Sequence, residues 1–392
     1  MEYNFDYSDI SIGVLGSTGS VGVQALDVVR AHNIKLDCIS ANRDVKKAEA
    51  QIREFHPRAA AMADENAAKE LASLVSDTDT KIYSGADGIL EMIYDSKADT
   101  IVNAILGIAG LRPTVAIIKS KKRCALSNKE SLVIAGKTVM SLAKENNVEI
   151  IPVDSEHSAI FQCIGTQNKK SIKKILLTAS GGPFYNYSKE QLLSVTKRDA
   201  LAHPTWKMGA KITVDSASLM NKGFEVIEAM HLFDVKVSQI EVVVHRESII
   251  HSMVEYIDNT VIAQMAAPDM SLCVQYAITY PHRTISVTDE LDFSKMSSLT
   301  FGKPDTDTFP LLDLAFRAAD SMSPAPCAMN GANEVAVAAF LDDKISFKTM
   351  VDSVIYSTEK HMSIPEINDI DTLFEIDKQA RAYTLEYITK AR

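Results

Sequence analysis

The sequence predicts an α/β fold that begins with a Rossmann-like parallel sheet, continues as an α+β region and ends in a small C-terminal helical bundle. From Ile10 to about Ile151, apolar runs alternate with segments of helical spacing, which is typical of a doubly wound sheet. The alternation stops after Ser171, and helical spacing dominates from Leu311 onward. At 392 residues the chain exceeds what one core usually organises, so we expect several domains.

In the first region, short apolar runs predict six strands, at Ile10–Leu15, Leu36–Ser40, Ala59–Met62, Thr100–Ala104, Arg123–Ser127 and Glu149–Val153. Apolar residues recur at helical spacing between the strands, for example in Val23–Ala31 and Leu132–Lys144. This alternation predicts that residues 1–152 form the first domain.

The second region, residues 153–290, mixes predicted strands with one long helix, Ser218–Leu232. We predict that Val242–His245 and Ser248–Val254 are neighbouring antiparallel strands, and that Lys174–Thr178, Gln239–Val244 and Val261–Met265 are strands as well. Residues 291–310, within a stretch rich in Asp, Ser, Thr and Pro, are predicted to be a linker. Residues 311–392 complete the chain with predicted helices at Leu311–Ala319, Gly331–Leu341, Phe347–Lys360 and Ile370–Ile388.

Composition excludes several classes of function. A net charge of −10 argues against a nucleic-acid partner, which would need a basic face. The five cysteines are scattered without metal or redox spacing, so we interpret them as buried apolar residues of a reducing compartment. The acidic start, Met1–Asp6, lacks the order of a signal peptide, and no apolar run reaches membrane-spanning length. We therefore expect a cytoplasmic protein without a membrane partner.

A glycine-rich turn follows the first predicted strand. Gly16, Gly19 and Gly22 precede a predicted helix, and this context favours a dinucleotide-binding turn in which the helix N-terminus meets a pyrophosphate. A tight turn without ligand remains the alternative. The second strand is followed by Arg43, where an NAD site usually carries an acid, and arginine favours the 2'-phosphate of NADP. The nearby Asp44 weakens that preference.

Two carboxylates stand where another apolar run stops. Asp154 and Glu156 are two positions apart, so in extended backbone both side chains would project from one face. Like charges this close are costly to ionise together, and a hard divalent metal resolves the repulsion most simply. A third oxygen ligand is expected from the polar stripe of the helix after Asp215, where Asn221 and Glu225 share one side. A solvated face with a surface ion pair is the alternative for that stripe.

Hydroxyl and lysine side chains in the same region could bind a phosphate. Ser180, Ser216 and Lys222 offer hydroxyl donors and a compact positive charge. Taken singly, Ser180 could be a turn residue and Ser216 a helix cap. Trp206 lies in a segment broken by Pro and Gly, which suggests a lid over a ligand, with a core anchor as the alternative.

The segment Ser127–Glu130 follows a predicted strand and precedes a helix. Ser127 and Glu130 fit a helix capping box, which would be a structural role. Ligands bind at the carboxyl ends of strands in such sheets, so Asn128 and Lys129 are site candidates.

The chain resembles the 1-deoxy-D-xylulose 5-phosphate reductoisomerase family over essentially its full length. The resemblance rests on six ordered motifs: Gly-Ser-Thr-Gly-Ser-Val-Gly from Gly16, Ser-Asn-Lys-Glu from Ser127, Val-Asp-Ser-Glu-His from Val153, Ala-Ser-Gly-Gly-Pro-Phe from Ala179, His-Pro-Thr-Trp-Lys-Met-Gly from His203, and Asn-Lys-Gly-Phe-Glu from Asn221. Two departures are Asp44, where the family often has Asn, and His245-Arg246-Glu247-Ser248, where His-Pro-Gln-Ser is common.

The resemblance implies a site for each ligand. It implies that Mg2+, Mn2+ or Co2+ is bound by Asp154, Glu156 and Glu225, which with Lys129 form the catalytic set. It implies that the sugar phosphate is held by Lys129, Ser155, Glu156, Ser180, His203, Trp206, Ser216, Asn221, Lys222 and Glu225. It implies that NADPH is lined by Thr18, Gly19, Ser20, Val21, Ala41, Asn42, Arg43, Asn128, Glu130 and Gly209.

The implied reaction rearranges the skeleton of 1-deoxy-D-xylulose 5-phosphate and reduces the resulting aldehyde to 2-C-methyl-D-erythritol 4-phosphate, in a homodimer of the non-mevalonate isoprenoid pathway. A metal-free NADP-dependent semialdehyde dehydrogenase is the rival enzyme, and it would need Cys124 or Cys163 as a thiolate nucleophile. An NADP-sensing protein without catalysis is a second rival, which the clustered acids argue against.

Overall fold

The computed structural model describes residues 10–206 and 208–391, and the chain divides into two compact units. The first unit runs to Asn128 and also takes Val139–Ser158 and Asp269–Asp289. The second unit takes Lys129–Thr138, Ala159–Pro268 and the chain from Glu290 onward. The acidic start considered above, Met1–Asp6, lies outside the described residues.

The first unit is built on a parallel sheet of seven strands in the order β4-β3-β2-β1-β5-β6-β7. Its strands and the helices that follow them are β1 (Ser11–Leu15), α1 (Ser20–Ala31), β2 (Lys35–Ala41), α2 (Val45–Phe55), β3 (Ala59–Met62), α3 (Glu65–Leu74), β4 (Lys81–Ser84), α4 (Gly85–Asp95), β5 (Thr100–Asn103), α5 (Leu111–Lys119), β6 (Arg123–Leu126), α6 (Glu130–Glu145), β7 (Ile150–Pro152) and α7 (Ser155–Ile164). All five residues of β1 are buried, as expected of a strand covered on both faces.

The order of this sheet reverses at β1, which pairs with β2 on one side and with β5 on the other. Ligands of open α/β sheets bind outside the carboxyl ends of the strands at such a reversal. The predicted doubly wound fold is confirmed. The edge strand β4 was not predicted, because it is four residues long and only Tyr83 in it is buried.

The second unit holds a four-stranded sheet in the order β11-β10-β8-β9 and most of the remaining helices. In chain order the elements after α7 are β8 (Ile172–Ala179), α8 (Lys189–Leu192), α9 (Lys197–Ala200), α10 (Ala210–Ala217), α11 (Met220–Phe233), β9 (Ile240–Val244), β10 (Ile250–Tyr256), β11 (Val261–Met265), α12 (Met270–Thr279), α13 (Pro310–Asp320), α14 (Ala325–Leu341), α15 (Phe347–Glu359) and α16 (Ile370–Lys390). Helix α12 belongs to the first unit, where it packs against α1.

The predicted pairing of the strands around His245 is wrong. Strand β8 lies between β9 and β10, parallel to the first and antiparallel to the second. Sequence neighbours were expected to pair, but the five residues between β9 and β10 allow the chain to pass β8. The predicted terminal bundle is confirmed, since α14 packs against both α15 and α16. Among the described residues, no helix is long and apolar enough to cross a membrane.

Candidate functional site

The turn after β1 requires glycine at two positions of the first unit. Gly16 has a φ of +77°, and a Cβ there would lie 2.8 Å from the Ala104 carbonyl oxygen. A Cβ on Gly22 would lie 2.2 Å from the Gly16 carbonyl oxygen. These neighbours are backbone atoms that cannot move aside, so a side chain on Gly16 would push the turn from the backbone after β5, and one on Gly22 would separate α1 from the turn.

The N-terminus of α1 is open to an anion. Its N-cap residue is Gly19, and no side chain caps the first turn. The first backbone N–H groups of a helix lack partners within it, and together they carry a partial positive charge. Thr18, Gly19, Ser20 and Val21 are all at least partly exposed, so their backbone can approach a pyrophosphate.

The end of β2 carries the side chains expected at the adenosine end of NADPH. Ala41 is buried, whereas Asn42 and Arg43 are exposed. The Arg43 Nε donates to Asp64 at 3.0 Å, and the side chain is 78 % exposed. Asp44 accepts a hydrogen bond from the Lys47 backbone N–H at 3.1 Å and so caps α2. Asp44 therefore has a structural role that leaves the adjacent guanidinium as the group suited to a 2'-phosphate.

Asn128 fixes the carboxyl end of β6 in the first unit. Its side chain is buried and donates to the Gly107 carbonyl at 3.0 Å, while its backbone N–H donates to Asn103 at 3.1 Å. A Cβ on Gly110 would lie 2.5 Å from the Asn128 amide carbon. This packing holds the turn after β5 against the end of β6, where the topology places a ligand.

The acidic pair lies at a strand-to-helix junction of the first unit. Strand β7 ends at Pro152 and α7 begins at Ser155, so the extended backbone predicted for Asp154 and Glu156 is wrong. Asp154 behaves as a helix cap, because the Glu156 N–H donates to its Oδ1 at 3.3 Å. The cap still brings the two acids together, with carboxylate oxygens within 4.8 Å of one another.

His157 was missed as a candidate, although it belongs to one of the motifs. Its ring is fully buried, and Nδ1 lies 3.1 Å from Asp154 Oδ1. Ser155 Oγ donates to Glu156 Oε2 at 2.5 Å, so both acids are held by a neighbour. The signal in the sequence was the three-residue spacing from Asp154, which places both side chains on one side of a helical turn.

A cluster of buried charges lies at the start of α11 in the second unit. Glu225 is 1 % exposed, Lys222 5 % and Lys129 8 %. Lys129 Nζ donates to Glu225 Oε1 at 3.1 Å and to Asn221 Oδ1 at 3.0 Å. Lys222 contacts the other Glu225 oxygen. The alternative of a solvated face with a surface ion pair is therefore wrong.

Glu225 pairs with both buried ammonium groups of the cluster, those of Lys129 and Lys222. Buried charges are costly unless they are paired, and here two ammonium groups share the Glu225 carboxylate. The side-chain amide of Asn221 donates to Glu225 Oε1 at 2.5 Å, which turns its own oxygen toward Lys129. A cluster of this composition is suited to an anionic ligand.

Ser180 and His203 form a second polar pair in this unit. The His203 Nδ1 accepts the backbone N–H groups of Thr205 at 3.2 Å and Trp206 at 2.9 Å, so the ring proton belongs on Nε2. Nε2 lies 3.0 Å from Ser180 Oγ and donates to it. Burial, together with the charge of Arg246, lowers the pKa of His203 to about 4, so the ring is neutral. The Ser180 hydroxyl proton can then point to a ligand oxygen.

The chain also brings the turn after β8 close to Ser216. Gly182 has a φ of +66°, and a Cβ there would lie 2.6 Å from the Ser216 carbonyl oxygen. Ser216 lies in the last turn of α10, and the N-cap of α11 is Leu219, so the helix-cap alternative for Ser216 is wrong. Two predicted phosphate-binding serines therefore lie on adjoining backbone segments.

The predicted lid connects α9 with α10. Its segment from Ala202 to Gly209 has no helix or strand among its described residues, and Lys207 lies outside them. The Trp206 ring is half-buried, with its centroid 6.1 Å from that of His251. Gly209 is the N-cap of α10, and a Cβ there would meet no atom within 4 Å. A loop with few packed neighbours changes its conformation at a lower cost in free energy than a tightly packed one.

Glu130 stands beside Lys129 at the start of α6. Its carboxylate lies 3.7 Å from Lys211 Nζ, and Lys211 also contacts Asp215 at 2.7 Å. Asp215 is fixed in turn by Asn333 of α14, whose amide donates at 2.7 Å. The segment after the lid is thus tied to the start of α6 by charged groups.

The two cysteines that the rival dehydrogenase would need are inert. Burial raises the pKa of the Cys124 thiol to about 12 and that of Cys163 to about 11. A nucleophilic cysteine requires the thiolate form near neutral pH. Neither thiol meets this condition, and the metal-free dehydrogenase is not favoured.

Comparison with known proteins gives the same family along the chain. Residues 12–136 match the family described as 1-deoxy-D-xylulose 5-phosphate reductoisomerase, residues 150–233 match its C-terminal domain, and residues 265–383 match the DXP reductoisomerase C-terminal domain.

Curated relatives of this name cover nearly the whole chain. A Clostridium botulinum reductoisomerase is 48% identical over 95% of this chain and 98% of its own length. A Bacteroides fragilis reductoisomerase is 48% identical over 97% of this chain and 98% of its own length.

Solved structures of reductoisomerases are also similar to this chain over nearly its whole length. The reductoisomerase from Zymomonas mobilis in complex with NADPH has a TM-score of 0.91 and 37% identity, over 97% of this chain and 99% of that one. A DOX-P reductoisomerase in complex with NADPH, fosmidomycin and magnesium has a TM-score of 0.92 and 39% identity, over 97% and 98% of the two chains. This chain belongs to the 1-deoxy-D-xylulose 5-phosphate reductoisomerase family.

Proposed function

We propose that this chain converts 1-deoxy-D-xylulose 5-phosphate to 2-C-methyl-D-erythritol 4-phosphate with NADPH and a divalent metal ion, using the residues assigned below. As a member of its family, the chain is an NADPH-dependent oxidoreductase. The observation that carries the residue assignment is the cluster of Lys129, Lys222 and Glu225. Its charges are buried at a cost in free energy, which a surface ion pair would not require.

The metal ligands we propose are Asp154, Glu156 and Glu225, which would hold Mg2+, Mn2+ or Co2+. Three carboxylates suit a hard divalent cation, and the closely placed Asp154 and Glu156 need a positive charge between them. A carboxylate has about four lone-pair sites, so Glu225 can bind a cation while it keeps a lysine contact. When bound, the ion would polarise the substrate carbonyl and the adjacent oxygen, and NADPH would supply a hydride.

The phosphate of the substrate is proposed to bind to groups of the second unit that offer protons and positive charge. Ser180 offers its hydroxyl proton, because neutral His203 already donates to its oxygen. The other members we propose are Ser216, Asn221 and Lys222. Since the phosphate does not react, its contacts supply remote binding energy that positions the reacting carbons.

The reacting end of the sugar is proposed to face Lys129, Ser155 and Glu156. The ammonium of Lys129 donates to Asn221 and Glu225, and in this proposal it also donates a hydrogen bond to a substrate oxygen. Its burial strengthens that hydrogen bond, because water does not compete for it. Trp206 and its segment would close over the ligand and exclude water from the aldehyde.

The NADPH site is proposed to follow the open end of α1 and the end of β2. Thr18, Gly19, Ser20 and Val21 would meet the pyrophosphate through their backbone. Arg43 would pair with the 2'-phosphate. The remaining residues we assign to the cofactor are Ala41, Asn42, Asn128, Glu130 and Gly209.

We propose the same three-part division as before: residues 1–152 bind NADPH, residues 153–290 carry catalysis and dimerisation, and residues 311–392 form a helical domain after the linker at 291–310. A cytoplasmic location is supported by five buried free cysteines. No membrane or nucleic-acid partner is proposed for this acidic chain.

A homodimer is proposed through the edge of the smaller sheet. In the part of the chain that the structure describes, strand β11 pairs only with β10, and its Val261 and Ile262 are 46% and 38% exposed. An unpaired edge strand with apolar side chains is a surface that proteins usually cover. Light scattering should give twice the mass of the chain, and a monomer at assay concentration would contradict this proposal.

The test of the function is NADPH oxidation after addition of 1-deoxy-D-xylulose 5-phosphate, with and without Mn2+. We expect oxidation that requires both the sugar phosphate and the metal, and that a chelator stops. No oxidation at saturating metal, or a full rate in the presence of chelator, would contradict the proposal.

A further inference from the structure

Arg246 lies in the loop between β9 and β10 and reaches the turn after β8. Its Nη1 donates to the Ser180 carbonyl at 2.6 Å and to the Gly182 carbonyl at 2.8 Å. The guanidinium also lies over the Tyr185 ring, 5.0 Å from the centroid. One nitrogen therefore fixes two carbonyl groups of the same turn, while an aromatic ring of that turn fixes the plane of the guanidinium.

The turn that Arg246 binds contains two successive glycines, whose backbone needs a restraint from outside the turn. Gly181 and Gly182 have φ values of +78° and +66°, so two successive residues adopt left-handed backbone. Glycine reaches this conformation easily, but it also leaves it easily, since no side chain restricts it. The turn carries the Ser180 hydroxyl and adjoins Ser216 through Gly182. Disorder in the turn would therefore separate the groups that meet the phosphate.

We propose that Arg246 is a positioning residue for substrate phosphate: it locks the turn from Ser180 to Gly182 in its binding conformation and adds positive charge beside the anion. This inference rests on the proposed function, because it assigns a further residue to the phosphate end of that site. The charge also acts on His203, whose neutral ring donates to Ser180. Arg246 thus affects both partners of the Ser180 hydroxyl without contacting the reacting carbons.

The first unit offers a matched control. Arg123 Nη1 donates to the Tyr280 carbonyl at 2.7 Å, and its guanidinium lies over the Tyr280 ring, 5.6 Å from the centroid. Arg123→Met removes the same kinds of contact from a place where we assign no ligand. A general loss of stability would appear in both variants, whereas loss of phosphate positioning would appear only in Arg246→Met.

The probe is inorganic phosphate, and the readout is the fluorescence of Trp206, the only tryptophan of the chain. The Trp206 backbone N–H donates to His203, so its ring reports on this part of the molecule. Because the titration needs no turnover, it separates the two proposals. An enzyme that binds phosphate but does not reduce the sugar would contradict the proposed function alone.

We expect Arg246→Met to raise the Kd for inorganic phosphate about tenfold, since hydrogen bonds from a charged donor are lost. The KM for the sugar phosphate should rise by a similar factor, while the KM for NADPH stays within twofold of wild type. Arg246→Lys should recover part of the affinity, because an ammonium keeps the charge but not the stacking on Tyr185.

Three outcomes would overturn the proposal. These are an unchanged Kd for phosphate in Arg246→Met, an equal rise in Arg123→Met, and a parallel rise in the KM for NADPH. If Arg246→Met does not fold, Arg246→Lys decides alone: a Kd raised severalfold supports the proposal, and a wild-type Kd contradicts it.

Discussion

The two compact units present their ligand-binding groups in different ways. In the first unit, the turn around Gly16 and Gly22 offers backbone N–H groups, and the Arg43 side chain that follows β2 is exposed. In the second unit, the cluster of Lys129, Lys222 and Glu225 offers side chains whose charges are buried. The cofactor turn thus depends on the absence of side chains, whereas the cluster depends on their charge.

This difference predicts different sensitivities. A backbone site tolerates a change of side-chain chemistry but not an added Cβ where backbones touch. A buried charge cluster is damaged less by a small change of side-chain shape than by the loss of one charge. When one charge is lost, its partner groups stay buried without compensation. Substitutions in the two regions should therefore damage different kinetic constants.

The largest effect is expected for Glu225→Gln. This change removes the carboxylate that pairs with both Lys129 and Lys222 and takes away a proposed metal ligand. We expect kcat to fall by at least about 10²-fold, the range seen when a buried electrostatic contact is lost from an active site. NADPH binding, measured by fluorescence titration, should stay near that of wild type.

Glu386→Gln is the matched control, because Glu386 also pairs with a lysine on its own helix but is 46 % exposed. Its kcat should equal that of wild type, since exposed pairs contribute little. Equal turnover of Glu225→Gln and wild type at saturating metal would contradict the assignment of Glu225 as a metal ligand.

The next effect is expected for Gly22→Ala, which tests the backbone half of the comparison. The added methyl group would meet the Gly16 carbonyl oxygen at 2.2 Å. We expect the Kd for NADPH to rise about tenfold or more, and the free energy of unfolding to fall by about 1–3 kcal/mol, as for other overpacked positions. Val23→Ala, at an exposed position of the same helix, should leave both quantities unchanged. A wild-type Kd in Gly22→Ala would show that the turn does not bind the cofactor.

Smaller effects are expected at the phosphate. Lys222→Ala removes a buried ammonium, and we expect the KM for the sugar phosphate to rise by about 10- to 100-fold, since hydrogen bonds to charged groups are worth about 1.5–3 kcal/mol. Ser216→Ala removes a neutral hydroxyl and should raise KM by about 3- to 10-fold. In both variants kcat should change less than KM. An unchanged KM in both would exclude this phosphate site.

The smallest effect is expected from thiol alkylation. All five cysteines are buried, and burial raises the pKa of the Cys124 and Cys163 thiols to about 12 and about 11. Iodoacetamide under native conditions should leave activity intact, whereas a chelator should abolish it. Inactivation that follows modification of either cysteine would revive the dehydrogenase alternative.

The first region was the easier to predict, because its signals are local. Strand β3 was predicted at its observed bounds, Ala59–Met62, since an apolar run between turn residues has few other interpretations. The constraint on Gly22 is also local, because its neighbour is Gly16 of the same turn, whereas the constraint on Gly16 comes from Ala104 after β5. Only the short edge strand β4 gave too weak a pattern.

The second region was harder, because its groups come from distant parts of the chain. Lys129 and Glu225 are 96 positions apart, and no periodicity relates them. The burial of α11 decided that its polar stripe is a site and not a solvated face. Likewise, the insertion of β8 between β9 and β10 depends on long-range pairing, which sequence neighbours do not reveal.

Arg246 illustrates what a departure from a family pattern can indicate. Arg246 stands where the family commonly has proline, and nothing in the sequence indicates which groups its guanidinium contacts. The two carbonyls that it binds lie 64 and 66 positions away. Only the fold connects them with the predicted phosphate groups.

The most direct test of the account is the position of the metal. A crystal soaked with Mn2+ should show, by anomalous scattering, one ion with carboxylate oxygens of Asp154, Glu156 and Glu225 at roughly 2 Å, the distance that hard divalent cations require. An ion bound without Glu225, or one held by a different set of residues, would contradict the account.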